Sequence, residues 1–289
     1  MRVGVAFPQT EIGADPVVIR DYAQAVEELG YQYILVADHV LGAGTDTRPD
    51  WRGPYTHEHM FHEPFVLLSY LAAITRYVEL ATGVIILPQR QTALVAKQAA
   101  ELDVLSGGRL RLGIGVGWNP VEYAALGMDF HTRGARCEEQ IALLRELWTR
   151  PLVTFAGRWH QVNDAGINPL PVQQPIPLWI GGHAEATLQR VGRMADGWFP
   201  LRPPDADTQA MIGRIRAVAQ EAGRDPDAIE IEGALSIGQI SEDEWIAYAT
   251  AWRDLGATHL CINTLEAGFT SPQEHIDALE VVREVLESA

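Results

Sequence analysis

The sequence predicts an α/β fold of the (β/α)8 TIM-barrel type with insertion segments, and three observations lead there. Eight short runs rich in β-branched residues recur along the chain. Stretches with apolar residues on one helical face separate them, the alternation that βα units around a parallel sheet produce. The 289 residues, 47% of them hydrophobic, suffice for one barrel around one core.

In chain order, strands are expected near Val3 to Phe7, Tyr33 to Ala37, Glu79 to Leu87, Leu110 to Val116, Leu178 to Gly181, Gly197 to Pro200, Ile229 to Ile237 and His259 to Thr264. Eight strands, each followed by a helix, favour a closed barrel over an open doubly wound sheet. Ile19, Tyr22, Val26 and Leu29 share one helical face, as do Ile276, Leu279, Val282 and Leu286. Helix starts are marked by Asp15-Pro16, Asn119-Pro120 with Glu122, Ser241 with Glu244, and Ser271-Pro272 with Glu274. Two segments exceed the βα period, Leu41 to Glu63 and Thr149 to Pro177. The first follows a strand and so belongs to the catalytic face of a barrel, where it is expected to act as a lid or wall. With no internal repeat, low-complexity tract or flexible linker, residues 1–289 are expected to form a single domain.

Twenty-two basic against thirty-eight acidic residues give a net charge of −16, which repels phosphate backbones and anionic lipid. Nucleic-acid and membrane partners are therefore not expected, and a small-molecule substrate is. The two cysteines, Cys137 and Cys261, suggest buried packing in a reducing compartment rather than a disulfide framework. The opening run to Phe7-Pro8 lacks the longer apolar region of a signal peptide, and no stretch reaches the roughly 18 apolar residues of a membrane span. The expected location is cytoplasmic.

Asp38-His39 follows the second strand, at the barrel edge where catalytic groups gather. An imidazole there could exchange a proton with a substrate hydroxyl, with the carboxylate orienting it; a strand-end capping pair is the alternative. Gly113 to Pro120 runs from a strand into a capped helix, with glycines that admit either a ligand or tight packing. It is not G-x-G-x-x-G, so it does not mark a nicotinamide site. At Gly181-Gly182-His183 the start of a helix offers backbone N–H groups to a phosphate, or else a plain turn. His57, His59 and His62 match no zinc spacing and are read as wall residues, so no metal is assigned.

Whole blocks of the chain resemble the bacterial luciferase-like superfamily, in its coenzyme F420-dependent oxidoreductase branch. They are Ala81 to Pro88, Lys97 to Arg109 and Leu112 to Trp118, supported by Asp38-His39, Arg133-Gly134 through Leu147-Trp148, Leu178 to Gly182 and Ala195 to Trp198. The resemblance implies a barrel enzyme that uses the deazaflavin F420, with FMN and monooxygenase chemistry as the alternative. It implies a non-proline cis peptide at Gly83-Val84 against the ring system. Phe7, Thr82, Gly83, Val84, Gly115 and Gly117 would lie along the cofactor with Trp118 and Asn119, and Gly181, Gly182 and His183 would receive its phosphate. Asp38 and His39 would flank the reactive ring edge as catalytic residues. The residue types of the first excursion suggest that Trp51, Tyr55, His59 and Phe61 line the substrate pocket, with plain packing as the alternative for the aromatic rings. A homodimer is the habit of the family. Sugar-phosphate dehydrogenases of the branch place a glutamate where this chain has Trp118, which argues against such substrates. A metal hydrolase using His57, His59 or His62 and a non-catalytic flavin-binding barrel are the lesser alternatives.

Overall fold

A computed structural model describes residues 1–288. Strand β1 (Arg2–Ala6) leads into α1 (Pro16–Glu28), β2 (Tyr33–Val36) into α2 (Pro64–Ile74), and β3 (Glu79–Thr82) with β4 (Ile85–Ile86) into α3 (Thr92–Ser106). Strand β5 (Leu110–Gly115) is followed by α4 (Pro120–Ala125) and α5 (Arg133–Thr149), then by the short strands β6 (Val153–Ala156) and β7 (Gln161–Ala165). The remaining units are β8 (Leu178–Gly181) with α6 (Glu185–Met194), β9 (Gly197–Phe199) with α7 (Ala206–Glu221), β10 (Glu230–Ser236) with α8 (Trp245–Asp254), and β11 (His259–Asn263) with α9 (Pro272–Glu287).

Parallel pairing runs β1, β2, β3, β5, β8, β9, β10, β11 and back to β1, which closes an eight-stranded barrel. All eight expected strands are present in the expected order. The third is divided, because the chain bulges at Gly83-Val84, whose peptide is cis, before β4 resumes pairing with β5 through Ile85 opposite Ile114. The second excursion contains an antiparallel hairpin, β6 on β7, that the sequence pattern did not suggest. Its second strand, Gln-Val-Asn-Asp-Ala, is mostly exposed and has no apolar alternation. What holds it is Glu139 of α5, which accepts the N–H groups of Arg158, Trp159 and His160 in the turn.

Helix starts follow the local chemistry. Asp15 accepts the N–H of Val17 ahead of Pro16, and Asn119 accepts those of Val121 and Glu122 ahead of Pro120. Glu274 reaches back to the N–H of Ser271 at 2.8 Å. Ser241 heads a short 3-10 turn, and α8 begins after it at Trp245. Cys137 and Cys261 are both buried.

The barrel interior is filled by rings and one charged cluster. A side chain at Gly4 would meet the Tyr33 ring at 2.4 Å and one at Gly197 the Trp179 ring at 2.2 Å, so both strands keep glycine where these rings pack. Between the rings lies Arg111, whose Nε bonds Glu79 at 2.6 Å and whose Nη1 bonds Glu232 at 2.8 Å. Its guanidinium stacks 4.3 Å from Trp179 and 4.6 Å from Tyr33. This cluster fills one end of the barrel and leaves the opposite rim to the loops that follow the strands.

Candidate active site

At the C-terminal rim a cavity of about 280 Å³ is lined by His39 to Gly42, by Tyr55, Thr56, His57, His59 and Phe61 of the first excursion, and by Trp118 and Asn119. The first excursion, expected as a lid or wall, supplies most of this lining. His39 is nearly buried and is gripped edge-on by three rings, Phe61 at 4.8 Å, Tyr55 at 5.0 Å and Trp118 at 5.6 Å between centroids. Trp51 packs on Trp118 at 5.6 Å and donates its indole N–H to the Tyr55 carbonyl. Gly53 lets the lid rest on Trp118, since a side chain there would meet the indole at 2.1 Å.

Asp38 does not hold the His39 ring, contrary to the expected pairing. Its carboxylate accepts Arg90 Nη2 at 2.8 Å, Arg90 Nε at 3.2 Å and the Ile86 N–H at 3.0 Å. Burial pushes the Asp38 carboxyl up from its ordinary value, and Arg90 and Ile86 offset this only in part. The group facing His39 is Glu122, whose Oε2 lies 3.6 Å from the imidazole Nδ1. Glu122 also accepts the N–H groups of Val40 and Leu41 and the amide of Gln89. Burial drives its carboxyl up, yet these contacts overcome that and hold it below the usual range.

Glu122 and Arg90 were missed in the sequence. Glu122 looked like the partner of a capping box, but Asn119 alone accepts the first two N–H groups of α4, and this frees Glu122 to reach across to Val40. Arg90 carries no motif. Its value lies in bridging Asp38 at the end of β2 to Glu63, the residue that caps α2 and ends the lid.

The Gly83-Val84 bulge packs over a margin of small residues. A side chain at Gly115 would meet Val84 at 2.6 Å, one at Gly181 would meet it at 3.0 Å, and one at Gly117 would strike Ile86 at 2.6 Å. These glycines therefore let the bulge approach β5 and β8. Phe7 is buried against Tyr22 and His62, and Thr82 is buried with its hydroxyl bonded to Gly113, so both support the rim from beneath. The Gly182 N–H is already donated to Phe199, which leaves the unpaired donors of this turn to the N-terminus of α6, a helix without a side-chain cap. His183 is exposed there.

The three lid histidines take different partners. His59 Nδ1 accepts the Thr56 N–H, the His62 ring approaches the Gly13 carbonyl while its backbone N–H donates to Gln9 Oε1, and His57 is exposed. Among the described residues no three His, Cys, Asp or Glu side chains gather as a metal set.

A closed barrel with an imidazole set in an aromatic cavity at its C-terminal rim, and with a bulged third strand, has the architecture in which catalytic groups gather at that rim. The luciferase-like monooxygenase family model matches residues 1–280, and the chain belongs to that family of oxidoreductases. An uncharacterized protein of Mycobacterium tuberculosis is 36% identical over 70% of this chain and 71% of its own. An F420-dependent glucose-6-phosphate dehydrogenase of Amycolatopsis mediterranei is 32% identical over 69% of this chain and 57% of its own. An F420-dependent hydroxymycolic acid dehydrogenase of M. tuberculosis is 28% identical over 87% and 66%. Among solved structures, a monooxygenase from Streptomyces bottropensis superposes with a TM-score of 0.79 at 19% identity over 100% of this chain and 99% of its own. An F420-dependent secondary alcohol dehydrogenase does so with a TM-score of 0.75 at 17% identity over 99% and 98%. At such identities these two likenesses speak for the fold.

Proposed function

We propose that the chain is an F420-dependent oxidoreductase acting on a small, uncharged alcohol or carbonyl compound. The observation that carries this reading is the placement of His39 in the wall of an aromatic cavity, in a barrel whose third strand bulges at the cis Gly83-Val84 peptide. Two relatives named for F420 differ in their named substrates, which suits a shared cofactor and a variable pocket. When bound, the deazaflavin exchanges hydride with a substrate carbon.

The residues present fit such a cofactor. Val84, projecting over Gly115 and Gly181, would back a planar ring, with Gly83, Gly117, Trp118 and Asn119 along its sides. The uncapped start of α6, after Gly181, Gly182 and His183, would receive a phosphate through its free N–H groups. His39 takes the substrate hydroxyl proton on oxidation and returns it on reduction. Tyr55, His59, Phe61 and Trp118 would wall the substrate pocket, with Trp51 packed against Trp118. Among the described residues no lysine or arginine lines this cavity, so a phosphorylated substrate would find only histidines as charge partners there.

Titration of the purified chain with F420 and, in parallel, with FMN, followed by tryptophan fluorescence, tests the cofactor. Binding of F420 is expected. FMN binding alone would redirect the reading to oxygen-dependent chemistry, and binding of neither would sink it. His39→Ala is expected to keep F420 affinity and to lose on the order of 10²- to 10⁴-fold in turnover; unchanged turnover would remove His39 from the mechanism.

A further inference from the structure

We infer that Glu122, and not the adjacent Asp38, is the positioning residue that sets the tautomer of His39, holding the proton on Nδ1 and presenting Nε2 as the acceptor to the cavity. The inference rests on the proposed role of His39 as proton carrier, and it concerns how one ring nitrogen is selected. The two carboxylates near this imidazole have separate engagements. Asp38 is tied on both oxygens to Arg90, and Ile86 donates to it as well. Arg90 in turn is bonded to Glu63, so this arm of the site is a network of its own that makes no hydrogen bond to His39.

Glu122 is placed differently. Its side chain is 1% exposed, and its Oε1 accepts the backbone N–H groups of Val40 and Leu41, the two residues that follow His39. Its Oε2 accepts Gln89 Nε2 at 3.1 Å and faces His39 Nδ1 at 3.6 Å. That is longer than a hydrogen bond, of the kind that tightens when a site fills. An ionised carboxylate has acceptors only, so the nitrogen facing it must be the one that carries hydrogen. Neutral imidazole has a single N–H. With that hydrogen on Nδ1, Nε2 is a free acceptor, the state needed to receive a hydroxyl proton. The remaining neighbours of the ring, Tyr55, Phe61 and Trp118, meet it through aromatic edges and impose no tautomer.

The same geometry determines what an isosteric change does. In Glu122→Gln, the amide oxygen must stay with the N–H groups of Val40 and Leu41, because leaving two buried donors unpaired is costly. The new NH2 then occupies the place of Oε2 and points a donor at Nδ1. Gln89, whose Oε1 has no partner, can turn to accept the other hydrogen. His39 Nδ1 becomes the acceptor and its hydrogen moves to Nε2, which can no longer take a proton from a substrate.

The experiment is nitrogen-detected proton correlation on protein labelled at its histidine ring nitrogens, without cofactor, at a pH where the rings are neutral. The His39 signals are assigned by their loss in His39→Gln. Wild type is expected to show Nδ1 protonated and Nε2 bare; Glu122→Gln is expected to exchange the two, and Glu122→Asp, still acceptor-only, to keep the wild-type pattern. In turnover, Glu122→Gln is expected to lower kcat for alcohol oxidation on the order of 10²-fold with F420 affinity unchanged. A wild-type spectrum with the hydrogen on Nε2, or an unaltered pattern in Glu122→Gln, overturns the inference. The wild-type spectrum decides alone if the variant does not fold, and because it needs no cofactor, its outcome is independent of whether F420 binds.

Discussion

Between β3 and β5 the parallel register stops after Ala81 opposite Arg111, and the Thr82 hydroxyl takes over from it. It donates to the Gly113 carbonyl at 2.7 Å and accepts the Gly113 N–H at 2.9 Å. Thr82→Val keeps the shape and orphans both Gly113 groups, so a loss of about 2 kcal/mol is expected, read as a lower urea midpoint with an unchanged slope. Thr82→Ser should retain most of the stability, and equal losses in the two variants would remove the hydroxyl from the account. The sequence could name Thr82 but not its task, because a threonine at a strand end looks the same whether it faces a ligand or a neighbouring strand. Asp38 and Glu122 teach the same lesson. Adjacency made Asp38 the natural partner of His39, whereas successive side chains at a strand end point apart, and the partner comes from a helix 83 residues further on.

Elements were far more legible than contacts. Periodicity placed all eight barrel strands, since buried parallel strands read as short continuous apolar runs. It missed the β6–β7 hairpin, which is held by Glu139 and not by an apolar face. The lid was legible as an excursion, but the clasp that fixes its end was not. Arg90 joins Asp38 after β2 to Glu63 before α2, two sites 25 residues apart in sequence that only the folded chain brings together. Arg90→Met leaves Asp38 buried without its cation, and a loss of about 3 kcal/mol in chemical denaturation is expected. Adding Asp38→Leu should restore much of it, because no orphaned charge then remains. Additive losses in the double variant would contradict the clasp.

At the scale of the whole barrel, stability and acidity are linked through the floor cluster. His259 is 1% exposed, its ring 4.9 Å from Trp179 and 5.6 Å from Tyr33, with Nδ1 2.8 Å from the Thr258 hydroxyl. Burial, reinforced by Arg111 and Arg2, pushes its pKa down to about 3 from an ordinary value near 6.5. Between those values the unfolded chain binds a proton that the folded chain refuses. Neutral His259 therefore contributes stability that is complete above pH 6.5 and is lost as the pH falls towards 3. His259→Gln removes this proton from the balance while the other acidic groups stay in place. Unfolding free energies from urea titrations between pH 7 and pH 4 should show wild type losing stability relative to the variant by up to about 1.4 kcal/mol per pH unit. A free-energy difference that stays constant over that range would mean that the folded barrel accepts a proton at His259, and that the acid limb of its stability arises from other groups.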